Sequence, residues 1–286
     1  MDPLIAYLTG SFRLSTELQC FWMAFQGSMT VRSGLNRDRS MHWFHAFMAS
    51  TLAAYAGATF ANIWMGRPTS MLSNDLNFAF CIVSFVIVNK LPFDLGYRLG
   101  KTLPVVIVTT LFAQLFRAMG VIKFCDIAHH SFRDAPSGYY PTPVFGPILF
   151  ATMLGNMGGF FSKGFHGHLK DGMPWPFQNG FFCATFYHFF VHDVEGIIGI
   201  TLREMLEGGA KSLGMDNRTF AMCLVSGFMN VMGILQLPRF FGPKFTPFNP
   251  ALLGKIGRLV PRSEVKLGPK SPVVGPPPVV GGKKKN

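Results

Sequence analysis

Gln114 and Arg117 stand three residues apart inside a stretch, Leu103 to Lys123, that is otherwise almost entirely apolar. On a helix the two side chains share one face, a turn apart. At about 1.5 Å per residue the stretch spans roughly the 30 Å hydrocarbon core of a bilayer. A guanidinium at that depth costs at least about 2.5–3.5 kcal/mol unless water, a counter-charge or a lipid headgroup meets it. These residues could therefore line a partly wet path or hold a lipid headgroup; the alternative is a structural hydrogen bond to a neighbouring helix. One charge crossing a full 100 mV is worth about 2.3 kcal/mol, so modest motion of Arg117 would contribute to voltage dependence.

Further candidates lie elsewhere. Gly57 and the run Gly155-Asn156-Met157-Gly158-Gly159 interrupt two apolar segments. Such interruptions either turn backbone carbonyls toward a hydrated path or let helices pack closely. Asn156 can offer its own carbonyl to a cation or bridge two helices. No acidic ring accompanies them, so strong divalent binding is not expected there. Pro92 and Asp94, in Pro-Phe-Asp, cap or restart a helix, or place a counter-charge at a pore mouth.

His188 and His192 stand at i and i+4, a spacing metal ligands favour, with Asp193 beside them. An integral-membrane di-iron hydroxylase would need His-x-x-His-His sets, and the sequence has none, so an enzyme is not the expected reading. His129, His130, His166 and His168 are expected in loops, as solvated residues or as metal- or pH-responsive ones.

Composition says what must position these residues. The 286 residues are 49% hydrophobic and only 14% charged, with 31 phenylalanines and 16 methionines; soluble domains carry about 25% charge. This is a polytopic, all-α integral membrane protein. The net charge of +12 does not point to nucleic acid, because the basic residues sit in short loops and in the tail. Five cysteines, in or beside apolar segments and without zinc-ligand spacing, read as packing residues. No basic leader with an apolar core and cleavage site is seen before Thr16.

Seven spans are expected, at about Phe12–Val31, His42–Met65, Leu76–Val88 continuing through Pro92 to Leu99 as a broken helix, Leu103–Lys123, Val144–Lys163, Phe177–Ile200 and Phe220–Leu237. This divides the chain into a non-cytosolic segment (1–11), a helical domain (12–240) and a disordered basic tail (241–286). A cytosolic C-terminus places 18 of the 26 lysines and arginines on the cytosolic side, ten of them from Arg239 onward. Spans one to three and four to six read as two inverted triplets, with glycine in the middle member of each, followed by a seventh helix. Matched interruptions of that kind point to a transport path. Lys283 and Lys284, at the fourth and third positions from the end, have the spacing of a dilysine retrieval signal; a solvated lysine tail is the alternative.

Several ordered features resemble the trimeric intracellular cation (TRIC) channels. They are Arg37-Asp38-Arg39 before the second span, Gly66-Arg67-Pro68 after it, Leu91-Pro92-Phe93-Asp94-Leu95-Gly96-Tyr97 and Leu103-Pro104-Val105. Arg117 deep in span four, His129-His130 after it and the Gly155–Gly159 break complete the set, over about residues 37 to 240. The resemblance implies a homotrimer in the endoplasmic or sarcoplasmic reticulum membrane. Each subunit would carry its own pore for monovalent cations, mainly potassium, supplying counter-ion current during calcium release, with no covalent chemistry and no cofactor. In that family a Lys-Glu-Val signature and a following arginine hold an anionic phosphoinositide. Arg117 falls on the arginine, but Ala113 and Gln114 take the places of the lysine and glutamate, so half of the basic clamp is missing. An inverted-repeat carrier for a small ion or solute is the alternative function. A seven-helix retinal receptor fits less well, because no lysine lies in span seven.

Overall fold

A computed structural model of the chain describes residues 2–133, 143–156 and 175–242, and these are helical throughout, without a strand. The helices are α1 (Pro3–Leu8), α2 (Ser15–Ser33), α3 (Trp43–Trp64), α4 (Ser70–Ser73), α5 (Asp75–Lys90) and α6 (Leu95–Gly100). They are followed by α7 (Leu103–Phe132), α8 (Phe145–Asn156), α9 (Trp175–Tyr187), α10 (Ile197–Ser212) and α11 (Asn217–Leu235). All described residues fall in one compact unit, Met1–Phe245. The expected tail lies almost wholly outside them.

Starts are set by local chemistry. Asn74 accepts a hydrogen bond from Leu76 N at 3.1 Å, and Asp216 accepts one from Thr219 N at 3.1 Å, each satisfying a donor that the first helical turn leaves free. Pro104 opens α7 and Pro3 opens α1, where the missing N–H costs nothing. The first helix was not foreseen in the sequence; Tyr7 Oη donates to Asn230 Oδ1 at 3.1 Å and so ties it to α11.

Helix α7 is the centre of the fold. It contacts α2, α8, α9 and α11, and buries Ala118, Val121, Ile122 and Cys125 against Ile148, Ala151, Ala184, Tyr187 and Val225. A second core joins Met23, Ala24, Ala54, Tyr55, Cys81 and Ala113 on α2, α3, α5 and α7. Small residues allow the closest approach. A Cβ on Gly27 would lie 2.6 Å from Ser50 O and 2.7 Å from Ala54 Cβ, so α2 and α3 meet nearly backbone to backbone. All five cysteines are free and four are buried. Phe78, Ile82 and Val86 repeat every fourth residue along α5 and are exposed, an apolar stripe suited to acyl chains rather than water.

By length and composition, α7 and α11 could each cross a membrane alone. The third candidate is the bent pair α5 with Pro92–Gly100, whose halves meet at 96°. That bend was expected at Pro92. Pro92 cannot extend α5, Phe93 and Asp94 both take φ of 56°, and the chain turns into α6.

Three expectations need correcting. Gly57 does not break its helix: α3 runs unbroken from Trp43 to Trp64 with Gly57 buried inside it. One glycine costs only about 1 kcal/mol of helix propensity, too little to stop a helix this rich in alanine. His129 and His130 are not in a loop, because α7 continues to Phe132. No proline intervenes, and burial of Val121, Phe124, Cys125 and Ala128 carries the helix onward.

The sixth segment does not run to Ile200. It passes from α9 into a π-helical turn, His188–His192, and stops; α10 is a separate amphipathic helix. The carbonyls freed by that ending are taken by Arg203, whose Nε donates to Phe190 O at 2.9 Å and Nη2 to Val191 O at 3.0 Å. Asp193 accepts from Gly199 N at 3.1 Å, and a Cβ on Gly199 would sit 1.7 Å from Asp193 O. Only glycine permits that closure.

Candidate ion pathway

Arg117 is half-buried on α7, and its Nη2 donates to Gln26 Oε1 on α2 at 2.8 Å. Among the described residues it makes no ion pair, so its positive charge is held by a neutral amide and not cancelled. Gln114, a turn earlier, is only 8% exposed and turns toward another neighbour: a Cβ on Gly233 of α11 would lie 2.6 Å from Gln114 Cγ. The face that Gln114 and Arg117 share is thus divided between α11 and α2. Thr110 meets Gly233 beside Gln114, and Thr109, Ser226, Asn230 and Gln19 are further buried polar residues of α7, α11 and α2. Thr110 Oγ1 bonds to Val106 O at 2.7 Å and Asn230 Nδ2 to Ser226 O at 2.8 Å, so part of this polarity is satisfied within its own helix. Buried polar groups along an apolar helix can exchange hydrogen bonds with water or a partly hydrated ion.

At the start of α6, Asp94 pairs with Arg39, and Arg32 Nη2 stands 3.7 Å from its other oxygen. Arg32 also donates to Asn36 O at 3.2 Å and Arg37 O at 2.7 Å, and its guanidinium lies 4.6 Å over the Tyr97 ring. Lys101 approaches the same ring at 4.1 Å. The structure therefore joins two blocks distant in sequence, Arg37-Asp38-Arg39 and Pro92–Tyr97. Asp94 occupies the N-cap position of α6 without bonding to it through its side chain; its carboxylate is spent on arginines.

A third polar cluster closes the far end of α7. Asp126 accepts from Arg218 Nη2 at 2.6 Å and Tyr187 Oη at 3.0 Å, and lies 2.8 Å from His192 Nε2. His129 stacks on His192 with ring centroids 4.2 Å apart. Sequence reading passed over Asp126; the available signal was a carboxylate three and four residues before two histidines. Among the described residues, no group of three His, Cys, Asp or Glu could hold a metal ion. Gly155 and Asn156 end the described part of α8 and are helical. Gly158, Gly159, His166, His168, Lys283 and Lys284 lie outside the described residues.

No curated protein sequence matches the chain. A family model does, over residues 33–156. The matching family is the TRIC channels. That span holds α3, the bend at Pro92, Asp94, all of α7 with Gln114 and Arg117, and the described part of α8. Solved structures agree in fold. A trimeric intracellular cation channel from C. elegans without Ca2+ superposes with a TM-score of 0.60 at 15% identity, covering 82% of this chain and 96% of the other. The C. elegans channel with bound Ca2+ gives 0.54 at 15% identity, with coverage of 82% and 96%. A TRIC counter-ion channel described for its activity in calcium release gives 0.57 at 16% identity, covering 80% and 95%. The TRIC resemblance read from the residues is thus found again by both comparisons. TRIC proteins are ion channels and not enzymes.

Proposed function

We propose that the chain is one subunit of a homotrimeric, potassium-permeable channel of the endoplasmic or sarcoplasmic reticulum membrane, supplying counter-ion current while calcium is released. The observation that carries this reading is the TRIC match over residues 33–156, which spans α7, the apolar helix that bears Arg117. The ion path in each subunit runs beside Gln114 and Arg117, with Gly57, Gly155, Asn156, Gly158 and Gly159 as its further candidate residues and Pro92 and Asp94 near the cytosolic mouth.

The membrane domain comprises residues 12–240, with seven spans, a short non-cytosolic N-terminal segment and a cytosolic tail from 241 whose Lys283 and Lys284 serve retrieval. Helix packing supports the two-triplet architecture. Each first helix, α2 or α7, contacts both later members of its own triplet, and equivalent helices meet across the halves, α2 on α7 and α3 on α8. Each third member ends in a turn followed by a helix whose early glycine, Gly96 or Gly199, sits against a preceding carbonyl. An anionic phosphoinositide is the candidate lipid for Arg117. Ala113, in place of the family lysine, is fully buried, so Arg117 alone on this helix would meet the headgroup.

The alternative is an inverted-repeat carrier. Proteoliposomes loaded with potassium, and diluted into a medium without any exchangeable solute, separate the two. A channel releases potassium as soon as a protonophore or anion conductance balances charge; a strict exchanger retains it.

A further inference from the structure

The end of α7 carries more imidazole than its acids can balance. His129, His188 and His192 form one cluster: His129 lies 4.2 Å from His192 and 6.0 Å from His188, ring to ring, and His188 lies 6.0 Å from His192. His130 stands 5.7 Å from His129 and 6.4 Å from His192. His192 lies 2.8 Å from the Asp126 carboxylate. His188 is 0% exposed, and neither of its ring nitrogens makes a hydrogen bond; His129 Nδ1 is likewise buried without one.

The surrounding elements offer little counter-charge. From α7 come Asp126 and Arg133, from the end of α9 Tyr187, and from the turn after the π segment Asp193. Helix α10 brings Arg203, held on Phe190 and Val191 carbonyls, and α11 brings Arg218, already bonded to Asp126. Helix α8, packed on both α7 and α9, has no titratable residue in Phe145–Asn156. Among the described residues, Asp126 and Asp193 thus face four histidines and three arginines. Asp126 already takes Arg218 and Tyr187, and Asp193 caps Gly199.

We propose that this cluster is a proton-sensitive latch between α7 and the π segment, closed while the imidazoles are neutral and opened by acid on that face of the protein. A proton on His129 or His188 sets a cation among the packed rings, where the carboxylates of the described residues are already bonded to other groups. The π segment is the element that yields, because its helix ends there and its last carbonyls are held by Arg203, not by a continuing ladder.

The latch is a property of helix packing and is read without ion current, so its failure leaves the channel reading untouched. Nitroxides at Ser131→Cys and Val194→Cys, in the full chain with Cys223→Ser and in lipid nanodiscs, report the distance from α7 to the turn after the π segment. One narrow distance is expected at about pH 7.5, moving outward and broadening as the pH is lowered toward about 4. His129→Phe with His188→Phe keeps two rings of similar shape and removes both unpaired imidazoles. That variant should retain the neutral distance and lose the acid response. If the double variant does not fold, His129→Phe alone serves, with the response at least halved. A distance unchanged from about pH 7.5 to 4, or a variant that responds as the parent does, overturns the latch.

Discussion

Gly96→Ala is expected to remove nearly all folded subunit, although it adds a single methyl group. A Cβ at that position would lie 1.9 Å from Ile87 O and 2.6 Å from Ile87 C, both backbone atoms, and 2.9 Å from Ile87 Cγ2. Side chains can rotate away from a clash, but a carbonyl inside a helix cannot. Relief requires α6 to swing off α5, and the bend between them is fixed by Pro92, by the left-handed Phe93 and Asp94, and by the pairing of Asp94 with Arg39. Overpacking a core usually costs about 1–3 kcal/mol, and a backbone obstacle places this case at or above the upper end. Three kcal/mol is roughly a hundredfold shift in the folding equilibrium, a large part of a margin of about 5–15 kcal/mol. The measurement is the monodisperse fraction and melting temperature of purified protein in detergent. Gly208→Ala, where nothing lies within 4 Å of the added Cβ, is the matched control and should match the parent or melt slightly higher.

Arg117→Gln is expected to increase unitary potassium current severalfold and to weaken its voltage dependence. Held by Gln26 at 2.8 Å and by no acid among the described residues, Arg117 keeps a full positive charge beside the proposed path. At about 5 Å and an effective dielectric constant near 20, one such charge opposes a passing cation by roughly 3 kcal/mol before screening by water in the path. Glutamine retains hydrogen-bonding capacity toward Gln26 and removes only the charge, so stability should change by less than about 1–2 kcal/mol. Arg117→Lys keeps the charge and should stay close to the parent in conductance. Single-channel recording of the three proteins decides the matter; identical currents in parent and Arg117→Gln would move Arg117 from the path to a structural bond.

Much of this arrangement was legible in the residues because membrane helices announce themselves by apolar length and their breaks by proline. Helices α2, α3, α5, α7 and α11 fall close to the expected segments, and the bend after Lys90 follows from Pro92. What was not legible depends on partners remote in sequence. Nothing local to Arg117 points to Gln26, 91 residues earlier. Asp126 gathers Tyr187, His192 and Arg218 from two other elements, and its role exists only once they meet. The histidines at 129 and 130 were misplaced because polarity was read as a loop, whereas tertiary burial on the opposite face extends α7 past them. Glycine misled in the opposite direction at Gly57, where local flexibility was overruled by the helix around it. The end of the sixth segment went unseen because Val194 and Ile197–Ile200 are apolar, and only the contacts of Arg203, Asp193 and Gly199 show that the chain has turned.

The central claim, that the chain conducts cations, is tested most directly by planar-bilayer recording of the purified protein in asymmetric potassium chloride. Unitary currents that reverse near the potassium equilibrium potential, with no counter-solute present, are the predicted result. Reversal near the chloride potential, or silence at all voltages from protein shown to be folded and inserted, would contradict it.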